Sequence, residues 1–409
     1  MPVLLQINSN ANVGSTGRIA EEIGLKAIEN GWTSYIAYGR NARPSKSRKI
    51  KIGNKLGIYW HILITRLFDR HGLGSKKATK DLLVKIKEIN PDVIHLHNLH
   101  GYYLNYEILF SFLKTNNIPI VWTLHDCWSF TGHCAHFSFA RCNKWQKECY
   151  QCPQTRKYPK GLIFDRSKLN FSDKKRSFTS GKDLITLVPV SNWLADSLSQ
   201  SFFEGANVKR IYNGIDIEIF KPVQKENRQS ILQKYNIENK FLILGVASIW
   251  GEGKGLNDFI SLSRLLNDDY VLLLVGLSKK QIKSLPDAMI GVEKTENIEA
   301  LGAIYSTADV FFNPTWKDTF PTTNIEALAC GTPVITYKTG GSVEAVSDDT
   351  GFIVEQGDME GVLKAIEIIK TNGKDKYSDN CRKRAIAKFN KEDRYKEYID
   401  IYKELLKNK

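Results

Sequence analysis

Two carboxylates, Asp318 and Glu326, stand eight positions apart in this 409-residue chain, with Thr319, Phe320, Pro321, Thr322 and Thr323 between them. An apolar run at 310–313 precedes that loop, and a small-residue segment at 324–329 follows it and ends at Gly331. Strand, loop and short helix in that order aim the loop's amides, and those opening the helix, at a phosphate. An acid before such a cradle suits sugar hydroxyls, and one a turn inside the helix suits ribose hydroxyls. The stretch has the chemistry to hold a nucleotide sugar. A second element, 248–255, follows the apolar run 241–247 and places Lys254 and Gly255 where a helix opens. Glycine lets backbone approach closely and the ammonium neutralises charge, which fits a pyrophosphate.

The first half of the chain offers weaker signals. Residues 8–18 form a loop rich in small residues, with Gly14, Ser15, Thr16 and Gly17 after the apolar run 3–7, able to bring backbone to a phosphate or sugar. His125 follows the run 118–123 and should project beyond a strand end, while His95, His97 and His100 read as cleft lining or packing. Five of the seven cysteines lie between Cys127 and Cys152. Cys134, Cys142, Cys149 and Cys152 end in a Cys-x-x-Cys pair and suit tetrahedral thiolate coordination. A structural Zn²⁺ is the favoured expectation over reduced buried thiols and over disulfides, with Cys127, His133 and His136 as alternative ligands.

The segment 313–334 resembles the E-x7-E signature of glycosyltransferase family 4, with Phe320, Glu326, Ala327, Ala329, Cys330, Gly331, Thr332, Pro333 and Val334 in register. Asp318 replaces the first glutamate, a shift of roughly 1.5 Å for the carboxylate, judged from bond lengths, which bears on donor choice. Lys254 and Gly255 resemble the family's R-x4-K-G element, although Ile249 stands at the arginine position. Asn213, Gly214, Ile215 and Asp216 match its N-G-(I/V)-D element and first read as a turn. The turn at Gly14 to Gly17 resembles the family's first glycine loop, and His125 its donor-sugar histidine. The resemblance implies an α/β protein of GT-B fold, two Rossmann-like domains facing across a cleft. It also implies retaining transfer, without a catalytic metal, from a nucleotide diphosphate sugar to an acceptor. The expected acceptor is a lipid-linked oligosaccharide of capsule, exopolysaccharide or lipopolysaccharide synthesis. Glu326 would hold ribose, Asp318 and His125 the sugar, and Lys254 with the 319–323 amides the pyrophosphate. The alternatives are a sugar-nucleotide epimerase of the same fold and a catalytically silent binding subunit.

These residues need two sheets to position them. Apolar runs at 3–7, 33–37, 93–97, 118–123 and 184–190, then at 241–247, 270–275, 289–292, 310–313, 333–336 and 351–354, alternate with helical stretches. That alternation predicts parallel sheets with helices on both faces. Helices are expected at 18–30, 80–89, 256–266, 298–306, 324–329, 342–346 and 357–371. The expected organisation is an acceptor-side domain at 1–203 with a cysteine-rich insertion at 127–152, a donor domain at 204–385 and a C-terminal helix in 386–409. Tyr395, Tyr398, Ile399, Ile401, Tyr402, Leu405 and Leu406 give that helix one apolar face, suited to packing back on the first domain. Hydrophobic residues at 42% and charged residues at 25% fit a globular protein. No apolar run spans a bilayer, and residues 2–8 read as a first strand and not a signal peptide, so a cytoplasmic location is expected. Residues 1–203 hold 29 basic and 14 acidic side chains, so the whole formal excess of +14 lies there. A basic face of this kind suits the anionic inner surface of a membrane, to which the protein would attach peripherally. Nucleic acid is disfavoured, since no recognition motif accompanies the charge.

Overall fold

The computed structural model describes residues 1–237 and 239–407. Two units emerge, one of Met1–Tyr212 with the segment from Glu392 onward, the other of Asn213–Lys391. The sequence boundaries stood at 203/204 and 385/386.

The first unit is built on seven parallel strands in the order β3-β2-β1-β4-β5-β6-β7. They are β1 (Val3–Asn8), β2 (Thr33–Tyr38), β3 (Arg48–Lys51), β4 (Val93–Leu96), β5 (Ile120–Leu124), β6 (Ile185–Pro189) and β7 (Asn207–Val208). β4, β5 and β6 are buried along their whole length, which is why they read as unbroken apolar runs. Edge strand β3 reads Arg-Lys-Ile-Lys and is mostly exposed; charge on an edge discourages further pairing. Helices α1 (Gly14–Glu29), α2 (Lys55–Phe68) and α3 (Lys76–Ile89) connect the early strands. Neither β3 nor α2 was expected from sequence.

The C-terminal helix, Lys391–Lys407, belongs with this first unit from Glu392 on, and the last two residues of the expected segment lie outside the described residues. Its Tyr395, Tyr398, Ile399, Ile401 and Tyr402 join Leu4, Ile23, Val93, Val121, Val188 and Ile211 in one buried cluster. Leu405 and Leu406 pack at its border. The apolar face read from the sequence is the face that is covered. Burying each such side chain contributes about 1.5–3 kcal/mol, so the helix is held firmly.

The second unit carries six parallel strands in the order β10-β9-β8-β11-β12-β13. These are β8 (Phe241–Val246), β9 (Tyr270–Val275), β10 (Met289–Val292), β11 (Val310–Asn313), β12 (Val334–Tyr337) and β13 (Gly351–Val354). All six were expected, to within a residue at each end. The helix expected at 342–346 is instead a 3-10 stretch, Gly340–Ala345. Two adjacent glycines, poor in helix propensity, keep it from propagating.

Candidate active site

The second sheet reverses its strand order at β8, which β9 and β11 flank. Ligands of open parallel sheets gather at carboxyl strand ends beside such a reversal. Both donor loops marked by the sequence leave from there, 247–255 from β8 and 314–321 from β11. Lys254 closes a single 3-10 turn, Glu252–Lys254, and Gly255 follows at φ +75°. A Cβ on Gly255 would lie 2.3 Å from the Pro314 carbonyl oxygen, so only glycine lets the loops meet. The Trp316 N–H donates to the Gly253 carbonyl at 3.2 Å, and the Thr315 hydroxyl donates to the same oxygen at 3.3 Å.

This closure sets Lys254 Nζ 2.5 Å from Asp318 Oδ2. The other carboxylate oxygen of Asp318 accepts from the Phe320 N–H at 3.3 Å. The acid is mostly covered, its side chain 15% exposed, and the lysine is 38% exposed. Glu326 lies inside the helix Thr322–Ala329 and is 8% exposed. It accepts from the Tyr305 hydroxyl at 3.0 Å. Pro321 at the N-cap of that helix supplies no side-chain acceptor, so the cap leaves the amides of Thr322 and Thr323 to other partners. Thr319 and Phe320 are buried. Asn213 braces this loop, its amide donating to the Phe320 carbonyl at 3.5 Å, while the Phe320 ring lies 5.6 Å from that of Phe389. Ile215 N–H in turn donates to the Phe389 carbonyl at 2.8 Å. The Asn-Gly element is thus a support for the 314–321 loop.

Ile249, at the family's arginine position, is 79% exposed. One cation went unnoticed in the sequence. Half-buried Lys317 crosses Gly253, where an added Cβ would sit 2.4 Å from its Cε. The available signal was a basic residue directly before Asp318.

In the first unit the reversal falls at β1, between β2 and β4. Helix α1 starts at Gly14, four residues before the expected Arg18, so Gly14, Ser15, Thr16 and Gly17 form its first turn and not a loop. Gly14 takes φ +70°, which lets the helix begin early. Val13 at the N-cap leaves that turn without a side-chain acceptor.

The histidines form a ladder. His95 and His97 stack at 4.1 Å between ring centroids, and His97 and His125 at 5.5 Å. Gln6 donates its amide N–H to the Ala20 carbonyl at 2.7 Å. Its oxygen therefore accepts from His97 Nε2 at 3.0 Å, and His97 Nδ1 accepts from His125 Nε2 at 3.2 Å. His95 meets the Tyr402 hydroxyl at 2.5 Å and Thr123 Oγ1 at 2.7 Å. Burial drives His95 and His97 well below the usual imidazole range, helped by neighbouring histidines. These two are core residues. His125, at the partly exposed end, is pushed down to about 4 by burial, with Asp126 opposing and His100 assisting. Burial works to raise the Asp126 carboxyl, but His100, 2.6 Å away, overcomes it and holds Asp126 at about 2.

All seven cysteines are free thiols. Cys134, Cys142, Cys149 and Cys152 line one small cavity together with His133. A hydrogen bond from Cys134 holds the Cys152 thiol down to about 7 against burial. His133 binds Asp69 Oδ1 through Nδ1 at 2.7 Å, and its buried Nε2 has no hydrogen-bond partner among the described residues. Among the described residues, the metal-ligating donor atoms that gather within 4.8 Å of one another in threes belong to Asp69, His71 and His133. The four sulfurs are not drawn into so compact a set. Fully buried Lys174 ties the cysteine-rich segment down, donating to the carbonyls of Trp128 at 2.6 Å and Thr131 at 2.9 Å.

Comparison with known proteins agrees with this architecture. Residues 17–219 match the family model described as Glycosyltransferase Family 4, and residues 227–388 match Glycosyl transferases group 1. The putative colanic acid biosynthesis glycosyl transferase WcaC of Escherichia coli is 24% identical over 390 residues, 90% of each chain. An N,N'-diacetylbacillosaminyl-diphospho-undecaprenol alpha-1,3-N-acetylgalactosaminyltransferase of Campylobacter jejuni is 28% identical over 144 residues, 33% of this chain and 37% of its own. The crystal structure of Anabaena HepE in complex with UDP matches at a TM-score of 0.69 and 15% identity, over 99% of this chain and 100% of its own.

Two parallel Rossmann-like sheets, with donor-type loops at the reversal of the second, define a glycosyltransferase of GT-B fold. The chain belongs to glycosyltransferase family 4. Among the described residues, no helix is long and apolar enough to cross a membrane.

Proposed function

We propose that the protein is a retaining transferase that moves a sugar from a nucleoside diphosphate, with UDP the first candidate, to a lipid-linked glycan acceptor in cell-surface polysaccharide synthesis. The observation that carries this reading is the meeting of Lys254 and Asp318 at the reversal of the second sheet, with buried Glu326 in the helix that follows. Lys254 neutralises the pyrophosphate, the first-turn amides of Thr322 and Thr323 cradle it, and Glu326 takes the ribose hydroxyls. Asp318 orients the sugar. Lys317, laid across the Lys254 turn, stands in for the family arginine missing at Ile249. The acceptor oxygen bonds to the anomeric carbon on the face from which the nucleotide leaves, and its proton passes to the departing phosphate oxygen. Preorganised cations and amides stabilise that leaving charge, so no catalytic metal is needed. In the first unit, the α1 first turn and His125 are assigned to sugar and acceptor. Support for UDP comes from HepE, solved with UDP, and support for a lipid-linked acceptor from the Campylobacter transferase. A basic first domain fits peripheral attachment to the cytoplasmic face of a membrane.

A structural Zn²⁺ in the cysteine-rich segment is part of the same reading. It is supported by the shared cavity and by the orphaned His133 Nε2, which Asp69 orients as carboxylates orient metal-bound histidines. His133 thereby joins Cys134, Cys142, Cys149 and Cys152 as a candidate ligand. Elemental analysis of purified protein should find about one zinc per chain, lowered in Cys149→Ser/Cys152→Ser; a metal-free, fully folded protein would end this assignment. For the transfer itself, hydrolysis of UDP-sugars by the wild type and by Glu326→Ala is the direct test. Loss of activity is expected, and equal rates would remove the site.

A further inference from the structure

Helix α2 is inside out. Its two fully covered side chains are polar, His61 and Thr65, whereas Leu56, Tyr59, Trp60, Leu63 and Phe68 are 78, 67, 63, 44 and 47% exposed. Polar bonds hold the covered side. His61 Nε2 accepts from the N–H groups of Gly72 and Gly74 at 3.2 Å each, and His61 Nδ1 lies 2.9 Å from the Ser75 hydroxyl. Gly74 has room only for its hydrogen, since a Cβ would sit 2.5 Å from the His61 ring. The docking is therefore specific, and it leaves the apolar face outward. Residues 162–164 extend that face. Leu162, Ile163 and Phe164 are 50, 64 and 56% exposed, the Leu162 N–H donates to the Arg66 carbonyl at 2.7 Å, and Phe164 stacks on Phe68 with centroids 5.8 Å apart.

Beside α2 runs a groove of about 770 Å³. Trp60, Ile64, Phe68 and Leu73 give it an apolar wall, and Arg70, Lys76 and Lys77 give it a cationic one, with Asp81 the acid among its lining residues. Single exposed apolar residues are ordinary on a protein surface, but a contiguous aromatic and aliphatic patch marks an interaction site. Apolar side chains outward with cations beside them is the pattern of helices that lie in a lipid interface.

We propose that α2 and residues 162–164 form a docking surface that inserts into the interface of an anionic lipid bilayer. Their apolar side chains enter the acyl region, while Arg70, Lys76 and Lys77 take a lipid phosphate at the groove. Charge complementarity favours this occupant over a second copy of the chain, whose matching patch would present the same cations. The proposal rests on the reading of a membrane-borne acceptor, but its test is independent of that reading.

The full-length protein is mixed with phosphatidylcholine vesicles, with or without phosphatidylglycerol, and binding is read by flotation. Binding to the anionic vesicles is expected. Among the described residues Trp60 is the tryptophan with a mostly exposed ring, so brominated lipid should quench a fluorescence component that Trp60→Phe lacks. Trp60→Ser/Leu63→Ser should weaken vesicle affinity about tenfold or more and leave UDP-sugar hydrolysis unchanged. Lys76→Glu/Lys77→Glu should remove the preference for phosphatidylglycerol. Absence of wild-type binding overturns the proposal, as does equal binding by the Trp60/Leu63 variant. A dimer that the same substitutions dissociate, with no vesicle binding, assigns the face to self-association instead. Vesicle binding without any sugar-nucleotide hydrolysis would sink the proposed function and leave this surface standing.

Discussion

Replacing Asp318 by asparagine should strengthen nucleotide binding while it weakens catalysis. The carboxylate holds Lys254 at 2.5 Å and accepts the Phe320 N–H through its other oxygen. Asparagine keeps the shape and the second contact but not the charge. Lys254 is 38% exposed, so the pair is discounted for solvent screening and contributes about 0.5–1 kcal/mol. Releasing Lys254 to a diphosphate, and removing a negative charge beside it, should tighten UDP binding about two- to fivefold. The sugar meanwhile loses a charged hydrogen-bond acceptor, about 1.5–3 kcal/mol, which lowers kcat/KM roughly 10- to 150-fold. Titration calorimetry with UDP and initial rates with the UDP-sugar read the two effects separately. Weaker UDP binding by Asp318→Asn would refute the reasoning, because it would mean that the acid helps the phosphate site and does not compete for its cation.

Gly255→Ala places a Cβ against the Pro314 carbonyl from a left-handed backbone; that conformation alone costs about 1–2 kcal/mol, so KM for the donor should rise and thermal unfolding should come a few degrees earlier. An unchanged KM would mean that the two loops do not depend on this close approach. Tyr402→Phe leaves His95 Nδ1 buried without its partner, a loss of about 1–3 kcal/mol that urea unfolding would register, whereas a neutral result would assign the C-terminal helix to apolar packing alone. Burial lowers the His61 imidazole to about 4 from 6.5, so its contribution to stability is complete above pH 6.5 and is lost as pH falls towards 4. The full swing is about 3 kcal/mol, and hydrogen exchange in α2 should report it; exchange that is flat across that window would contradict the amide bonds drawn to His61 Nε2.

The second unit was legible because its candidate chemistry and its elements announce themselves together. β8 and β11 are buried runs of one character, and the residues after them, Lys254-Gly255 and Asp318 to Glu326, occur where a parallel sheet presents its loops. What spacing did not reveal is contact. Lys254 and Asp318 lie far apart in the chain, and only the fit of Gly255 against Pro314 brings them to one ion pair. Lys317 escaped notice for the same reason, since its place over Gly253 is fixed by that closure. The cysteine spacing suggested ligands, with His133 among the alternatives, but the sequence carried no sign of how the His133 ring is turned, because Asp69, which turns it, is remote in sequence.

Helix α2 was missed on physical grounds that reach further. Periodicity identifies a helix by assuming that its apolar stripe faces protein and its polar stripe faces water. Residues 55–68 are mostly apolar, so no polar stripe appears, and of the polar residues inside the helix His61 and Thr65 are turned inward while Arg66, near its end, is exposed. His61 can face the protein because Gly72 and Gly74 offer it two amides where a core helix would meet aliphatic side chains. The exchange of apolar for polar contact removes the usual force that hides Tyr59, Trp60 and Leu63. The proposed bilayer interface would cover them, which ties the exposed face of α2 to the surface at which the enzyme would work.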